Sequence, residues 1–226
     1  MKITHHLDAA TLMSYAAGSL PEALGAVVAA HLDVCPACAA EARFATTIGA
    51  GVFERLEPVA MSPSAAAKSA IAIAAARQEG DSYPGRGRDV AGEASCDGAD
   101  VPRSLHRFVG PRLDEIRWKR LGLGIWHVPL PLSKGAQGDL RLIKVAPGQI
   151  MPEHGHGASE LTLVLAGSYR DEVGEFKAGD IADLGDDVDH TPVANSKDGC
   201  ICLIACEERA RFKGLFARMV QPLTGL

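Results

Sequence analysis

Two hydrophobic rhythms run along this chain. In its first third the apolar positions fall in Ala-rich segments opened by capping or helix-starting residues, with Asp8 ahead of AATLMSYAAG and Pro21 ahead of EALGAVVAAHL. A carboxylate at the N-cap and a proline at the first turn both satisfy the constraints of a helix start, so this part predicts short helices and an all-α unit. In the second half the apolar residues gather in short runs of β-branched and aliphatic side chains, RLIKVAPG, ELTLVLAG and CICLIAC, punctuated by Gly or Pro. Several such runs at close spacing predict an all-β unit, a sandwich or barrel. No internal repeat and no heptad pattern is present.

Between the two rhythms, from Arg77 to Arg103, RQEGDSYPGRGRDVAGEASCDGADVPR is dense in Gly, Asp, Ser and Pro and has almost no apolar periodicity. It reads as a flexible linker. The expected organisation is therefore a helical domain over residues 1–85, a linker over 86–104 and a β domain over 105–226.

Composition narrows the possibilities. At 226 residues and 47% hydrophobic, the chain is long enough for two modest domains, each with its own core. A formal net charge of −5 argues against a broad phosphate-binding surface. Residues 1–60 carry three Lys or Arg against six Asp or Glu, which disfavours a zinc-finger DNA binder. The start MKITHHLDAATLMSYAAG lacks the basic region, apolar core and cleavage site of a secretory signal, and no apolar run approaches the roughly 20 residues that span a bilayer. A cytoplasmic protein with no membrane partner is expected. In a reducing compartment, the spacing Cys35-Pro-Ala-Cys38 points to metal ligation or redox chemistry rather than to a disulfide framework.

The N-terminal candidates are His6, His31, Cys35 and Cys38. A helix ending near Asp33 and another starting at Pro36 would turn His31, Cys35 and Cys38 to one corner, with His6 arriving from the start of the chain and His5 as its rival. Two imidazoles and two thiolates form the tetrahedral set that Zn²⁺ favours in closed structural sites. A small helical unit with few large apolar residues would gain from such an ion, whose apparent binding energy is on the order of 10–16 kcal/mol. The pattern His6, then His31-x-x-x-Cys35-x-x-Cys38 within short N-terminal helices, resembles the zinc-binding anti-sigma domain. That resemblance implies a helical unit that wraps a sigma factor and blocks its access to RNA polymerase.

The second set opens the run PEHGHGASELTLVLAG. Gly148, five residues, His154-x-His156, three residues, Glu160, six residues and Gly167 match the first motif of the cupin superfamily at every spacing. His154, His156 and Glu160 lie on even positions, so an extended chain presents them on one face. The second cupin motif keeps Gly179, Gly185, His190 and Asn195 but lacks the usual Pro two residues before Gly185. His190 would complete a set of three nitrogens and one oxygen that suits Zn, Fe, Mn, Ni or Cu without choosing among them.

Together the two modules resemble the ChrR-type anti-sigma factors, over nearly the whole chain except the linker. The resemblance implies an extracytoplasmic-function sigma factor as partner and no direct nucleic-acid contact. It also implies Zn²⁺ in the helical domain, Zn²⁺ or another divalent transition metal in the cupin barrel, and release of the sigma factor on oxidative stress such as singlet oxygen or organic hydroperoxide. The competing reading is a metal-dependent cupin enzyme, a dioxygenase or isomerase, with an N-terminal zinc-binding regulatory domain; against it, no acid-base pair beyond the ligands is evident. Tyr169 reads as a buried structural tyrosine before a donor, and His106 and His127 as structural or solvated. Cys200 and Cys202 share a strand face, where buried small hydrophobes are the stronger reading and a thiol sensor, with Cys206 beyond, the weaker one. Cys96 in the linker is weaker still.

Overall fold

The structure, a computed structural model, describes residues 2–60, 62–78, 99–151, 154–155, 159–185, 189–195, 197, 199–207 and 211–212; for residues 75–78, 154, 155, 189, 211 and 212 it describes the backbone alone. Cys96 and most of the linker lie outside the described residues.

Helix α1 (Ala9–Ala16) starts where Asp8 caps it, its carboxylate accepting from the Thr11 N–H at 2.6 Å. Helix α2 (Glu22–Val34) follows Pro21 and buries Ala23, Leu24, Val27, Val28, Ala30 and His31. These positions recur every three to four residues and so form one apolar stripe. The helix stops at Cys35, whose backbone is extended, and α3 (Pro36–Phe53) begins at once with a proline that suits a first turn. The bend between α2 and α3 is 119°. Helix α4 (Pro63–Gln78) follows. Among the described residues no single helix is long and apolar enough to cross a membrane.

The second half is antiparallel β throughout. Strands β1 (Lys119–Gly122), β2 (Ile125–Pro129), β3 (Asp139–Val145), β5 (Glu160–Arg170), β6 (Glu175–Lys177) and β10 (Cys200–Cys206) lie in the order β1-β2-β3-β10-β5-β6, and β7 (Ile181–Leu184) and β9 (Val193–Ala194) also pair with β5. A smaller sheet has the order β11-β4-β8, from Arg211–Phe212, His154–Gly155 and Asp189–His190. Strand β5 serves four neighbours because it bends. Its register with β10 shifts between Cys202, opposite Val164, and Ile201, opposite Ala166, and Gly167 follows at φ 73°. A bulge ending in a left-handed glycine re-aims a strand at little steric cost. The first half of β5 then pairs with β10 and β7, the second with β6 and β9.

The central strands β3, β5 and β10 of the large sheet carry buried side chains on both faces. On one, Leu203 stands opposite Leu142 and Leu163, and Ala205 opposite Leu140 and Leu161. This face shares one core with Leu7, Leu12, Leu24, Val27 and Val28 of the N-terminal helices, and α2 packs across β3, β5 and β10. On the other face, Cys202 stands opposite Ile143 and Val164 within a second core that includes Tyr169, Phe176 and Leu184. Each large side chain buried in this way contributes about 1.5–3 kcal/mol relative to exposure. The compact units accordingly differ from the division expected at the linker: residues Met1–Ala50 and Gly98–Leu226 form one, and Gly51–Asp97 the other. The reason is the stripe on α2, which finds its complement on the sheet. Fixed partners also hold both ends of α2, Glu22 accepting from the Ser133 N–H at 3.1 Å and Asp33 from the Ser104 N–H at 2.7 Å.

Candidate metal centres

The α2–α3 corner gathers the first set. His31 sits in the last turn of α2, Cys35 at the bend and Cys38 in the first turn of α3. His6 comes from the extended segment ahead of α1, and the four ligand atoms all lie within 4.8 Å of one another. His31 Nε2 is 3.3 Å from Cys38 Sγ, and His6 Nδ1 is 3.3 Å from Cys35 Sγ and 3.5 Å from Cys38 Sγ. Zn–N bonds near 2.0 Å and Zn–S bonds near 2.3 Å give tetrahedron edges of roughly 3.3–3.8 Å, so the cluster has the dimensions of a Zn²⁺ shell. His5 is placed elsewhere: its ring packs on Phe176 at 4.4 Å between centroids, and its Nδ1 is 3.3 Å from Asp180 Oδ2.

The electrostatics of the corner also suit a cation. Burial, followed by the nearby His6, pushes the His31 imidazole down to about 4 against the opposing pull of the Gly179 carbonyl and Asp180. At neutral pH the ring is therefore uncharged and offers a lone pair. Burial pushes the Cys38 thiol up to about 11; the Leu7 N–H opposes this, and Cys35 and Glu41 reinforce it. A divalent ion supplies the positive charge that lets such thiols ionise as ligands.

The second set is spread over several strands. Glu160 opens β5 and is 3% exposed, its Oε1 accepting from the Thr162 hydroxyl and its Oε2 from the Cys206 thiol, both at 3.1 Å. His190, on β8, is buried with its Nδ1 2.9 Å from Asp171 Oδ2, whose side chain is also buried. Burial raises the Asp171 carboxyl, but hydrogen bonds from His190 and from the Gly174 and Val173 N–H groups outweigh it and bring the group below its ordinary value. A carboxylate on one ring nitrogen fixes the tautomer and orientation of a histidine, the usual support of a metal-binding imidazole. The backbones of His154 and His190 stand opposite each other across the β4–β8 pair. The side chain of His154 and the whole of His156 lie outside the described residues.

Sequence reasoning missed Asp171 and Thr162 and weighed Cys206 only as part of a thiol sensor; all three partner the candidate ligands. Thr162 lies two residues from Glu160 on the same strand face, a signal that could have been used; Asp171 and Cys206 reach their partners across 19 and 46 residues, and no local pattern marks them. Of the other candidates, His106 Nε2 lies 2.9 Å from the Val101 carbonyl. His127 Nδ1 lies 3.3 Å from Nη1 of the buried Arg141, which also pairs with the half-buried Asp139. Tyr169 is buried and stacked on Phe176 at 5.0 Å. The sulfurs of Cys200 and Cys202 are 3.3 Å apart and buried. Hydrogen bonding with Cys200 and burial push the Cys202 thiol well above its ordinary value, which disfavours a reactive thiolate.

A zinc-type helical corner joined to an antiparallel cupin-like β unit defines a two-module protein, and known proteins share both modules. Residues 107–209 match the family described as "ChrR Cupin-like domain", and residues 10–39 match "Putative zinc-finger". The anti-sigma-E factor ChrR of Cereibacter sphaeroides is 39% identical over 222 residues, 98% of each chain. The crystal structure of Rhodobacter sphaeroides SigE in complex with the anti-sigma ChrR matches with a TM-score of 0.70 and 38% identity, over 91% of this chain and 99% of that one. The chain belongs to the ChrR-type anti-sigma family.

Proposed function

We propose that this protein is a cytoplasmic anti-sigma factor that sequesters an extracytoplasmic-function sigma factor through its helical part. The observation that carries the reading is the His6, His31, Cys35, Cys38 cluster at the α2–α3 corner, in a chain similar over nearly its full length to an anti-sigma factor that has been solved with its sigma factor. Helix α3 supports it: Phe44, Ile48 and Val52, four residues apart and so on one helix face, are all exposed. Exposed apolar stripes of this kind mark protein-binding surfaces. Zn²⁺ held by the four residues would fix the angle between α2 and α3 and so the direction of that stripe. The family makes the chain a regulator rather than an enzyme.

The β unit, on this reading, carries the response. His154, His156, Glu160 and His190 would hold a divalent transition metal, with Asp171 orienting His190, and the unit would release the sigma factor on oxidative stress. A ligand or reaction shifts an equilibrium only if it distinguishes the two states, and a metal inside the barrel is a group whose chemistry can do so.

The test is co-expression of the full chain with the sigma factors of its source cell, followed by affinity capture and sigma-dependent transcription in vitro. One sigma factor should be retained and silenced, and a charge placed in the stripe by Ile48→Glu should weaken capture at least tenfold. A full chain that retains no sigma factor would defeat the proposal.

A further inference from the structure

We infer that Asp180 is a positioning residue of the N-terminal zinc centre, so that a turn of the β unit completes a metal site whose other three ligands lie at a helix corner. The inference rests on the zinc reading of His6, His31, Cys35 and Cys38.

His31, Cys35 and Cys38 need little help, since the end of α2, the bend and the start of α3 set their spacing. His6 belongs to no helix and is exposed; whatever fixes its backbone decides whether the fourth ligand is in place. That role falls to the turn between β6 and β7. The Asp180 side chain is 1% exposed. Its Oδ1 accepts from the Thr4 N–H at 2.6 Å and from the His5 N–H at 3.0 Å, and its Oδ2 accepts from the Lys177 N–H of its own turn at 3.0 Å. The Thr4 hydroxyl lies 3.3 Å from both oxygens. The Ile181 N–H reaches the His5 carbonyl at 3.4 Å.

The two residues immediately before His6 are thus bound to one buried carboxylate. Beyond His6, Leu7 is buried in the shared core and the Asp8 N–H donates to Asp183 on β7 at 3.3 Å. His6 is bracketed between two carboxylates three residues apart on the β unit. Hydrogen bonds from peptide N–H groups to a buried carboxylate are among the stronger ones, and removing the carboxylate leaves those donors unsatisfied.

Support of this kind around a metal ligand typically changes metal affinity by roughly 10–100-fold. The experiment loads the full-length protein with Co²⁺ and follows the thiolate-to-cobalt absorption, the part of the spectrum that Cys35→Ser abolishes, during competition with a chelator. Asp180→Ala should release Co²⁺ at least tenfold faster than wild type, Asp180→Asn by less because one acceptor oxygen remains. Thr4→Pro, which removes a donor from outside the β unit, should act in the same direction. Ile143→Val, a core change on β3, a strand that pairs with β2 and β10, should lower the unfolding midpoint without altering release, which separates positioning from general loosening. Unchanged release in the Asp180 and Thr4 variants, with a wild-type thiolate band present, overturns the positioning role alone. A wild-type protein with no thiolate band overturns the zinc reading and the positioning role with it.

Discussion

A thiol that burial raises to about 11 is a poor anion until a cation arrives, which makes Cys38 the most sensitive point of the N-terminal cluster. Cys38→Ser should abolish Zn²⁺ binding at that site and reduce sigma affinity by at least tenfold, because a hydroxyl does not ionise there as a thiol does; metal stoichiometry and a binding isotherm on the purified variant check both. His6→Ala should be severe and His5→Ala mild, since His6 reaches both sulfurs whereas the His5 ring packs on Phe176 beside Asp180. Asp183 offers a separate test in pH. Burial, with Asp8 reinforcing it and hydrogen bonds from Thr11 and the Asp8 N–H opposing, raises its carboxyl above the ordinary value. The folded state therefore prefers the protonated form, and the stability this gives is present below the ordinary carboxylate pKa and fades as pH rises through the folded value. Asp183→Asn should raise the neutral-pH unfolding midpoint and flatten its rise on acidification. At this scale the sequence was informative where ligands are neighbours on one helix corner. His31, Cys35 and Cys38 converge because helix geometry brings spacings of four and three together; Asp171 and Asp180 act across many residues and left no local mark.

Elements were easier to find than to pair. Asp8 and Pro21 announced α1 and α2, and the β-branched runs announced β3, β5 and β10. The stripe on α2 was visible as a pattern, yet nothing in it says that its complement is a sheet beginning a hundred residues later. Leu24, buried on that stripe, is the test position: Leu24→Ala should destabilise the protein by about 2–5 kcal/mol, the usual range for a core leucine truncated to alanine. Because Trp118 and Trp126 are the chain's two tryptophans and both lie in the β part, their fluorescence should report that loss in a single transition. Unchanged tryptophan unfolding would mean that α2 and the sheet do not share a cooperative core.

At the scale of the molecule, the linker separates the two motifs in sequence, whereas residues Met1–Ala50 and Gly98–Leu226 share one compact unit. A fragment of residues 1–85 should still bind and silence the sigma factor, because the whole anti-sigma motif lies within it. Alone, however, it would expose Ala23, Leu24, Val27 and Val28 and should bind a hydrophobic dye that the full chain excludes. A fragment that fails to bind sigma while the full chain succeeds would show that inhibition needs the β unit as well.

The hydrogen bonds between Thr4, His5 and Asp180 carry an obligation that runs in both directions. If the sheet turn helps to hold the ion, then by linkage the ion must help to hold the sheet: whatever binds only the folded form raises its resistance to heat by an amount set by concentration over affinity, about 2.7 kcal/mol at a hundredfold excess over Kd. Trp126 fluorescence, read from a strand that supplies no ligand, should therefore melt at a lower temperature once a chelator has emptied the helical corner. Restoring Zn²⁺ should bring the midpoint back in wild type, and should do so only weakly when Asp180 is alanine.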